Sequence, residues 1–200
     1  MAHMHDAEVQ IQEIHRQVAR ASEFRGFRPG YLTVIGVAAV VVGAGHVLTG
    51  DEVAGGVAGG LVQWMLLGVV TAIAVLVEVL VPELRAPERY RRTMAVQIIR
   101  QFSPALVLAI AVGLIAVTQR PFDGELVPYL PSLFAGAFGL SIVAITPFVP
   151  TRGGLASWWY LAAAVLLVPY APEDPASVGI VMGVTFGGGH LLTALLLRDV

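Results

Sequence analysis

The 200-residue chain contains no cysteine, no lysine and no asparagine, and it has few charged residues of either sign. The absence of cysteine excludes disulfides, thiolate metal sites and cysteine nucleophiles. Charged residues make up 13% of the chain, against about a quarter in soluble domains. All 12 basic residues are arginine, and a net charge of −2 leaves no extended basic surface for a nucleic-acid partner.

The motifs that carry common enzyme chemistry are also missing. The chain has no glycine-rich phosphate loop, no nucleophile elbow and no zinc-type spacing of histidine and glutamate. We therefore expect no catalytic residues, no metal site and no cofactor.

Apolar residues dominate the chain, at 56% of its length, and the mean hydropathy is +0.78. Apolar runs of about 20 residues are long enough to cross a bilayer as helices. The sequence therefore predicts an all-α fold, a polytopic membrane bundle of about six helices over residues 30–200, with the lipid bilayer as its surroundings. The predicted spans are 31–50, 57–81, 104–118, 131–146, 155–168 and 177–197.

Two amphipathic segments accompany the bundle. In the cytoplasmic or interfacial segment 1–29, apolar residues at alternating spacings of four and three predict a helix over 5–27, which lies on the membrane or docks a partner helix. The segment 83–102 predicts an interfacial, arginine-rich helix, which ends before the Ser103–Pro104 pair that opens the third span. It offers a cytoplasmic surface of four arginines: Arg85, Arg89, Arg91 and Arg92.

The distribution of arginine between the loops sets the orientation. Arginines concentrate on one side of the predicted spans, and only Arg120 falls on the other. Because positive residues favour the cytoplasmic side, both termini are predicted to be cytoplasmic. Lysine and asparagine have AT-rich codons, so their absence suggests a GC-rich bacterial genome and a bacterial inner membrane.

Ionisable side chains inside a membrane are costly and often functional. The predicted spans contain three: His46, Glu78 and His190. Gln63 and Thr71 share a helix face with Glu78, which forms a polar stripe along the second span. Two interpretations stay open, since such residues can bond a neighbouring helix or the membrane edge, or handle a ligand, proton or ion.

Glycines recur every fourth residue in the last span, at Gly179, Gly183 and Gly187. Such a ridge of small residues lets another helix approach closely. His190 follows on the same side of the helix. Glu78 is predicted about 6 Å and His190 about 12 Å inside the cytoplasmic ends of their spans, so we expect the two side chains to interact.

A haem held by His46 and His190 is not expected. His46 is predicted about 22 Å from the cytoplasmic edge and His190 about 12 Å from it. Two axial ligands of one haem need similar depth, as in cytochromes that bind haem with paired histidines.

Three stretches resemble a family of small bacterial six-helix membrane proteins of unknown function. They are IQEIHRQVARASEFRGFRPG near the start, RQFSPALVLA in the middle and FGGGHLLTALLLRD at the end. The resemblance implies six spans and a GGxH position at Gly188, Gly189 and His190, whereas His46 has no counterpart in the family pattern. Genes of such proteins often lie beside winged-helix regulators, which implies a role in membrane-linked regulation.

The sequence favours a non-enzymatic sensor, regulator or interaction protein that acts through its cytoplasmic face, with a cytoplasmic protein as a candidate partner. The alternative is a small transporter or channel that uses the Gln63–Thr71–Glu78 stripe and His190. A homo-oligomer is compatible with either hypothesis.

The orientation can be tested with reporter fusions. Fusions after Asp51, Asp123 and Asp174 should report the periplasm, because the loops that carry them are poor in arginine. Fusions after Arg92 and Arg152 should report the cytoplasm. A periplasmic signal from the arginine-rich segment would reverse the orientation.

Overall fold

The computed structural model describes residues 28–50, 56–118 and 126–198, except for the side chains of Glu78, Val79 and Val117. This part of the chain consists of helices and turns, and no strand occurs in it. The all-α prediction is therefore confirmed. The amphipathic helix predicted at 5–27 lies outside the described residues.

Among the described residues, five helices are long and apolar enough to cross a membrane. In chain order we label the helices α1 (Pro29–Thr49), α2 (Gly56–Val75), α3 (Arg89–Thr118), α4 (Leu130–Ile145), α5 (Ala156–Leu166) and α6 (Pro175–Leu197). Short 3-10 turns at Val127–Tyr129 and Thr146–Phe148 lengthen α4. Of these six helices, α5 is too short to span a membrane.

α5 has 11 residues, so it is about 16 Å long and does not match a hydrocarbon core of about 30 Å. A helical turn at Thr151–Gly154 precedes it and a 3-10 turn at Val168–Tyr170 follows it. The chain therefore passes this region as three consecutive helical pieces.

Contacts with α4 show how far these pieces reach. Gly154 packs against Thr146 beyond the end of α4, and the Ser132 hydroxyl in the first turn of α4 donates a hydrogen bond to the Ala164 carbonyl. The segment 151–170 thus runs antiparallel to α4 along nearly its whole length. It fills the place of the fifth predicted span without one continuous helix.

α2 continues past its predicted end at residue 81. Beyond Val75 it becomes a π-helical turn, Leu76–Leu80, and then a last α-helical turn, Val81–Leu84. Pro82 lies in the first positions of that last turn, where its fixed backbone angle suits a helix.

The boundary predicted between an interfacial helix at 83–102 and a span at 104–118 is wrong. α3 is one helix from Arg89 to Thr118, with Pro104 inside it. Proline removes one intrahelical hydrogen bond, but packing on both sides of Pro104 holds the helix together. Ile98 and Phe102 pack before it, and Gly113 lies against Phe134 of α4 after it. Whether the first turns of α3 lie at the membrane surface stays a prediction.

α1 and α6 run antiparallel, and their backbones approach closely. Gly43 lies against Gly179 and Gly183, and Gly36 lies against Gly187. A Cβ atom on Gly43 would come within 2.5 Å of the Gly179 carbonyl oxygen. The predicted glycine ridge of α6 therefore meets a second row of glycines on α1.

Two apolar clusters fill the ends of the bundle. One lies near Thr49 and contains Leu61, Trp64, Leu130, Val178 and Met182 among its buried members. The other centres on Ile98, Ile145 and Val149, with the last turns of α2 packed against it. We call these the Thr49 end and the Leu197 end; the Leu197 end is the one predicted to face the cytoplasm.

Candidate functional site

The second half of α6 carries the predicted residue His190 and departs from regular α-helix. α6 begins with a capping box, in which the Asp174 carboxylate accepts the Ser177 N–H at 2.9 Å. Residues Gly183–Gly188 then form a π-helix before α-helix resumes at Gly189. Short π-helices within α-helices often occur at functional sites, because the wider turn redirects backbone carbonyls.

Two carbonyls in this π-helical segment accept hydrogen bonds from side chains. The Trp159 indole N–H donates to the Thr185 carbonyl at 2.9 Å. His190 Nδ1 lies 2.6 Å from the Phe186 carbonyl oxygen. A carbonyl can only accept, so this geometry assigns the hydrogen to Nδ1. In the neutral ring Nε2 is then the atom that can take up a proton.

Tyr160 is the second polar partner of His190. Its hydroxyl oxygen lies 3.1 Å from Nδ1, and its side chain is fully buried. His190 itself is 9% exposed. The ring is therefore held from α5 by a hydroxyl and from its own helix by a carbonyl.

Aromatic rings enclose the same site. The Phe138 centroid lies 5.4 Å from that of His190, 4.7 Å from that of Tyr160 and 5.8 Å from that of Phe186. An aromatic face attracts a cation within about 6 Å of its centroid. The Phe138 ring, tilted by 40° to the imidazole, therefore lies within the distance at which an aromatic ring attracts a protonated histidine.

The three glycines before His190 face three different neighbours, which explains the GGGH string. A Cβ on Gly187 would collide with Val40 of α1, and one on Gly188 would lie 3.2 Å from the Trp159 ring. A Cβ on Gly189 would overlap the ring of Tyr160. α1 and α5 therefore approach this turn of α6 because Gly187 and Gly189 lack a side chain, and Gly188 leaves room for the Trp159 ring.

His46 belongs to a separate polar group near the Thr49 end. Its Nε2 lies 2.8 Å from Gln63 Oε1, and its ring meets Trp64 edge-to-face at a centroid distance of 6.1 Å. His46 and Trp64 are each 4% exposed. Because the amide oxygen accepts, Nε2 carries the hydrogen, and in the neutral ring Nδ1 is then bare.

The two histidines occupy different levels of the bundle. The His46 Cβ packs against Gly179, and His190 lies 11 residues further along α6. This corresponds to a separation of about 16 Å along the helix axis. The geometry does not suit one haem bound by both rings. Within the described ranges no three His, Asp or Glu side chains come together as a metal-binding set.

The four arginines predicted as a cytoplasmic surface differ in their contacts and exposure. Arg91 donates two hydrogen bonds to the Glu83 carboxylate, at 2.7 and 2.8 Å, and also lies 3.5 Å from Glu88. The other three are exposed: Arg85, Arg89 and Arg92. One arginine of the surface therefore links α3 to the end of α2.

Glu78 lies in the π-helical turn of α2, but its side chain lies outside the described part of the chain, so its interaction with His190 stays a prediction. Thr71 and Gln63 are half-buried, and Gln63 bonds His46. The structure thus brings together His46 with Gln63 and His190 with Tyr160. These two groups lie at different levels of the bundle.

Sequence reasoning missed three residues of the His190 site, Phe138, Tyr160 and Phe186. The string Trp158–Trp159–Tyr160 is typical of an aromatic belt at a membrane edge, but Tyr160 is fully buried, whereas Trp158 is 69% exposed. The signal was present in the string WWY. Three consecutive helical residues span about 200° of a helix surface, so at least one of them lies near the packed side of a helix that contacts its neighbours.

Comparisons of the chain with protein-family models, curated proteins and solved structures found no match.

We expect Tyr160 and His190 to be energetically coupled. In a double-mutant cycle of Tyr160→Phe and His190→Gln, measured by thermal unfolding in detergent, the coupling should be about 0.5–2 kcal/mol, as for hydrogen-bonded side chains between membrane helices. A cycle of Tyr170→Phe with His190→Gln is the control, because Tyr170 is exposed, and it should be additive.

A parallel cycle of Glu78→Gln with His190→Gln tests the predicted carboxylate partner. Coupling in this cycle but not in the Tyr160 cycle would show that Glu78, and not the Tyr160 hydroxyl, is the main partner of His190.

Proposed function

We propose that this protein is a non-enzymatic sensor or regulator of the bacterial cytoplasmic membrane, with both termini in the cytoplasm, that signals through its cytoplasmic face. The five apolar helices suit a membrane protein. The excess of arginine on one side supports the orientation. The resemblance to a bacterial six-helix family found near transcriptional regulators points the same way.

The observation that carries the proposal is His190, buried beside a π-helical segment. Histidine is the side chain whose charge ordinarily changes between pH 5 and 8. Here its ring bonds the Phe186 carbonyl, within the π-helix Gly183–Gly188. Tyr160 is the titratable group that contacts the ring from another helix among the described residues. Protonation of His190 at Nε2 would add a charge and a donor beside this segment and would strengthen the Nδ1–H bond to the Phe186 carbonyl. A ligand that displaces Tyr160 would remove the contact between its hydroxyl and the ring.

A route from the site to the cytoplasmic face follows from the packing of α6. Leu197 at its end packs on Gly153, next to the exposed Arg152. If the π-helical segment returns to regular α-helix, the residues that follow must rotate and shift along the axis. Gly153 and Arg152 would then move with Leu197. Interfaces of this kind switch between discrete arrangements, which is how small shifts become signals.

A transporter that uses the Gln63–Thr71–Glu78 stripe and His190 has less support. Gln63 is engaged by His46 at the Thr49 end. Between that level and His190, α6 presents the buried Met182, the buried Thr185 and the ring of Phe186. One hydroxyl between two apolar side chains offers fewer polar contacts than a continuous path needs.

The fluorescence of Trp159 tests the proposal directly, because its indole bonds the π-helical segment. The chain has three tryptophans, so Trp64→Phe with Trp158→Phe leaves Trp159 as the single probe. In vesicles, its emission should change with pH as the His190 ring gains or loses a proton. The titration should disappear in His190→Gln and persist in His46→Gln, whose ring lies in the other group.

The same vesicles should show no proton or ion flux. A flux that disappears with Glu78→Gln would favour the transporter. Emission that does not depend on pH, or a titration unchanged by His190→Gln, would contradict the sensor.

A further inference from the structure

The first turns of α3 sort their arginines onto two faces. Arg91 lies on the same side as the buried Ala95 and Ile98, where it is paired with Glu83. Arg89, Arg92 and Arg100 are exposed. Among the residues that the structure describes, no carboxylate pairs with these three arginines.

The three exposed arginines lie on one narrow face. At 100° per residue, Arg92 and Arg100 lie within about 60° and 20° of Arg89 around the helix. Three guanidinium groups are therefore displayed along one line, facing away from the bundle. Each presents a planar array of N–H donors that matches the oxygens of a phosphate.

The same face continues as apolar surface towards the Thr49 end. Around the helix axis, Val107 and Leu114 lie within about 20° of Arg89, and they are 63% and 51% exposed. Val96 lies between Arg92 and Arg100, and it is exposed as well. The face thus has a cationic part about 16 Å long from Arg89 to Arg100, followed by an apolar part about 21 Å long from Arg100 to Leu114.

We propose that this face of α3 is a binding site for an anionic phospholipid, with its phosphate held by Arg89, Arg92 and Arg100 and its acyl chains along Val107 and Leu114. A free phosphate would use only the arginines. The apolar continuation along the same line matches the tail of an amphiphile, and therefore favours a lipid as the ligand. Arg100 is the deepest of the three, and its long side chain can extend towards the headgroup level.

The pairing of Arg91 supports this assignment. Arg91 is compensated by Glu83 and Glu88, so its charge serves the contact between α2 and α3. The outer arginines have no such compensation among the described residues, although they lie on a helix long and apolar enough to cross a membrane. Arginines near an anionic membrane surface are attracted to its phosphates.

Native mass spectrometry of the detergent-solubilised protein, titrated with phosphatidylglycerol or phosphatidylcholine, tests the proposal. The protein should retain phosphatidylglycerol in preference to phosphatidylcholine. Arg92→Gln and Arg100→Gln should each lower the affinity for phosphatidylglycerol about five-fold, and the triple variant with Arg89→Gln roughly hundred-fold. High salt should weaken the binding, as expected of exposed charges.

Two matched variants separate the site from general charge. Arg152→Gln removes an exposed arginine at the same end but on another segment, and it should leave the affinity unchanged. Arg91→Gln should lower thermal stability while lipid affinity stays within two-fold. The single variants also keep most of the positive charge that sets the orientation, so their effects do not depend on a change of topology.

Equal retention of the two lipids would overturn the proposal, as would single variants that lose no more affinity than Arg152→Gln. Complete competition by inorganic phosphate would likewise overturn it, and would assign the arginines to a soluble anion.

Discussion

The contact between α1 and α6 is the constraint on which the remaining structure depends. At Gly43 and Gly179 the two backbones meet with no side chain between them, and a Cβ on either residue would come within 2.6 Å of the other's carbonyl oxygen. Association of helices in lipid relies on close packing and hydrogen bonds because lipid supplies little hydrophobic drive. The glycine rows provide that packing, and they fix the level of every residue on α6 relative to α1.

The two histidines take their positions from this contact. His46 lies beside Gly179, where its ring reaches Gln63 on α2. Further along α6, Gly187 continues the contact with α1, while Gly188 and Gly189 turn to α5. Tyr160 can therefore reach the His190 ring. Glycines that pack against both α1 and α5 leave few side chains to stabilise this part of α6. The π-helical segment Gly183–Gly188 lies in this glycine-rich part of the helix.

Much of the fold follows from apolar length and local end signals. The bounds of α1 and α4 lie within two residues of their predicted spans, because Gly50 ends α1 and Pro131 lies in the first turn of α4. Tertiary packing explains the helix boundaries that were predicted wrongly. Pro104 suggested a helix start, but α3 packs on α4 on both sides of it and stays continuous.

The sites were harder to predict than the helices. Charge and polarity identified His46 and His190, but their partners depend on how the helices rotate about their axes. An amide such as Gln63 could be assigned only to its own helix face until α1 was placed beside it. The string WWY does not indicate which of its three aromatics turns inward, and nothing distinguishes Phe138 from a lipid-facing aromatic until α5 is docked. π-helical turns arise from such docking too, and no residue spacing predicts them.

The stability of glycine variants measures the central contact most directly. Gly43→Ala should lower the free energy of unfolding in detergent by about 1–3 kcal/mol, because its Cβ would press on the backbone of α6. Gly45→Ala is the matched control on the same helix, since a Cβ there has no neighbour within 4 Å. It should change the stability by less than about 0.5 kcal/mol, or raise it. Equal effects of the two substitutions would show that α1 and α6 do not meet at these glycines.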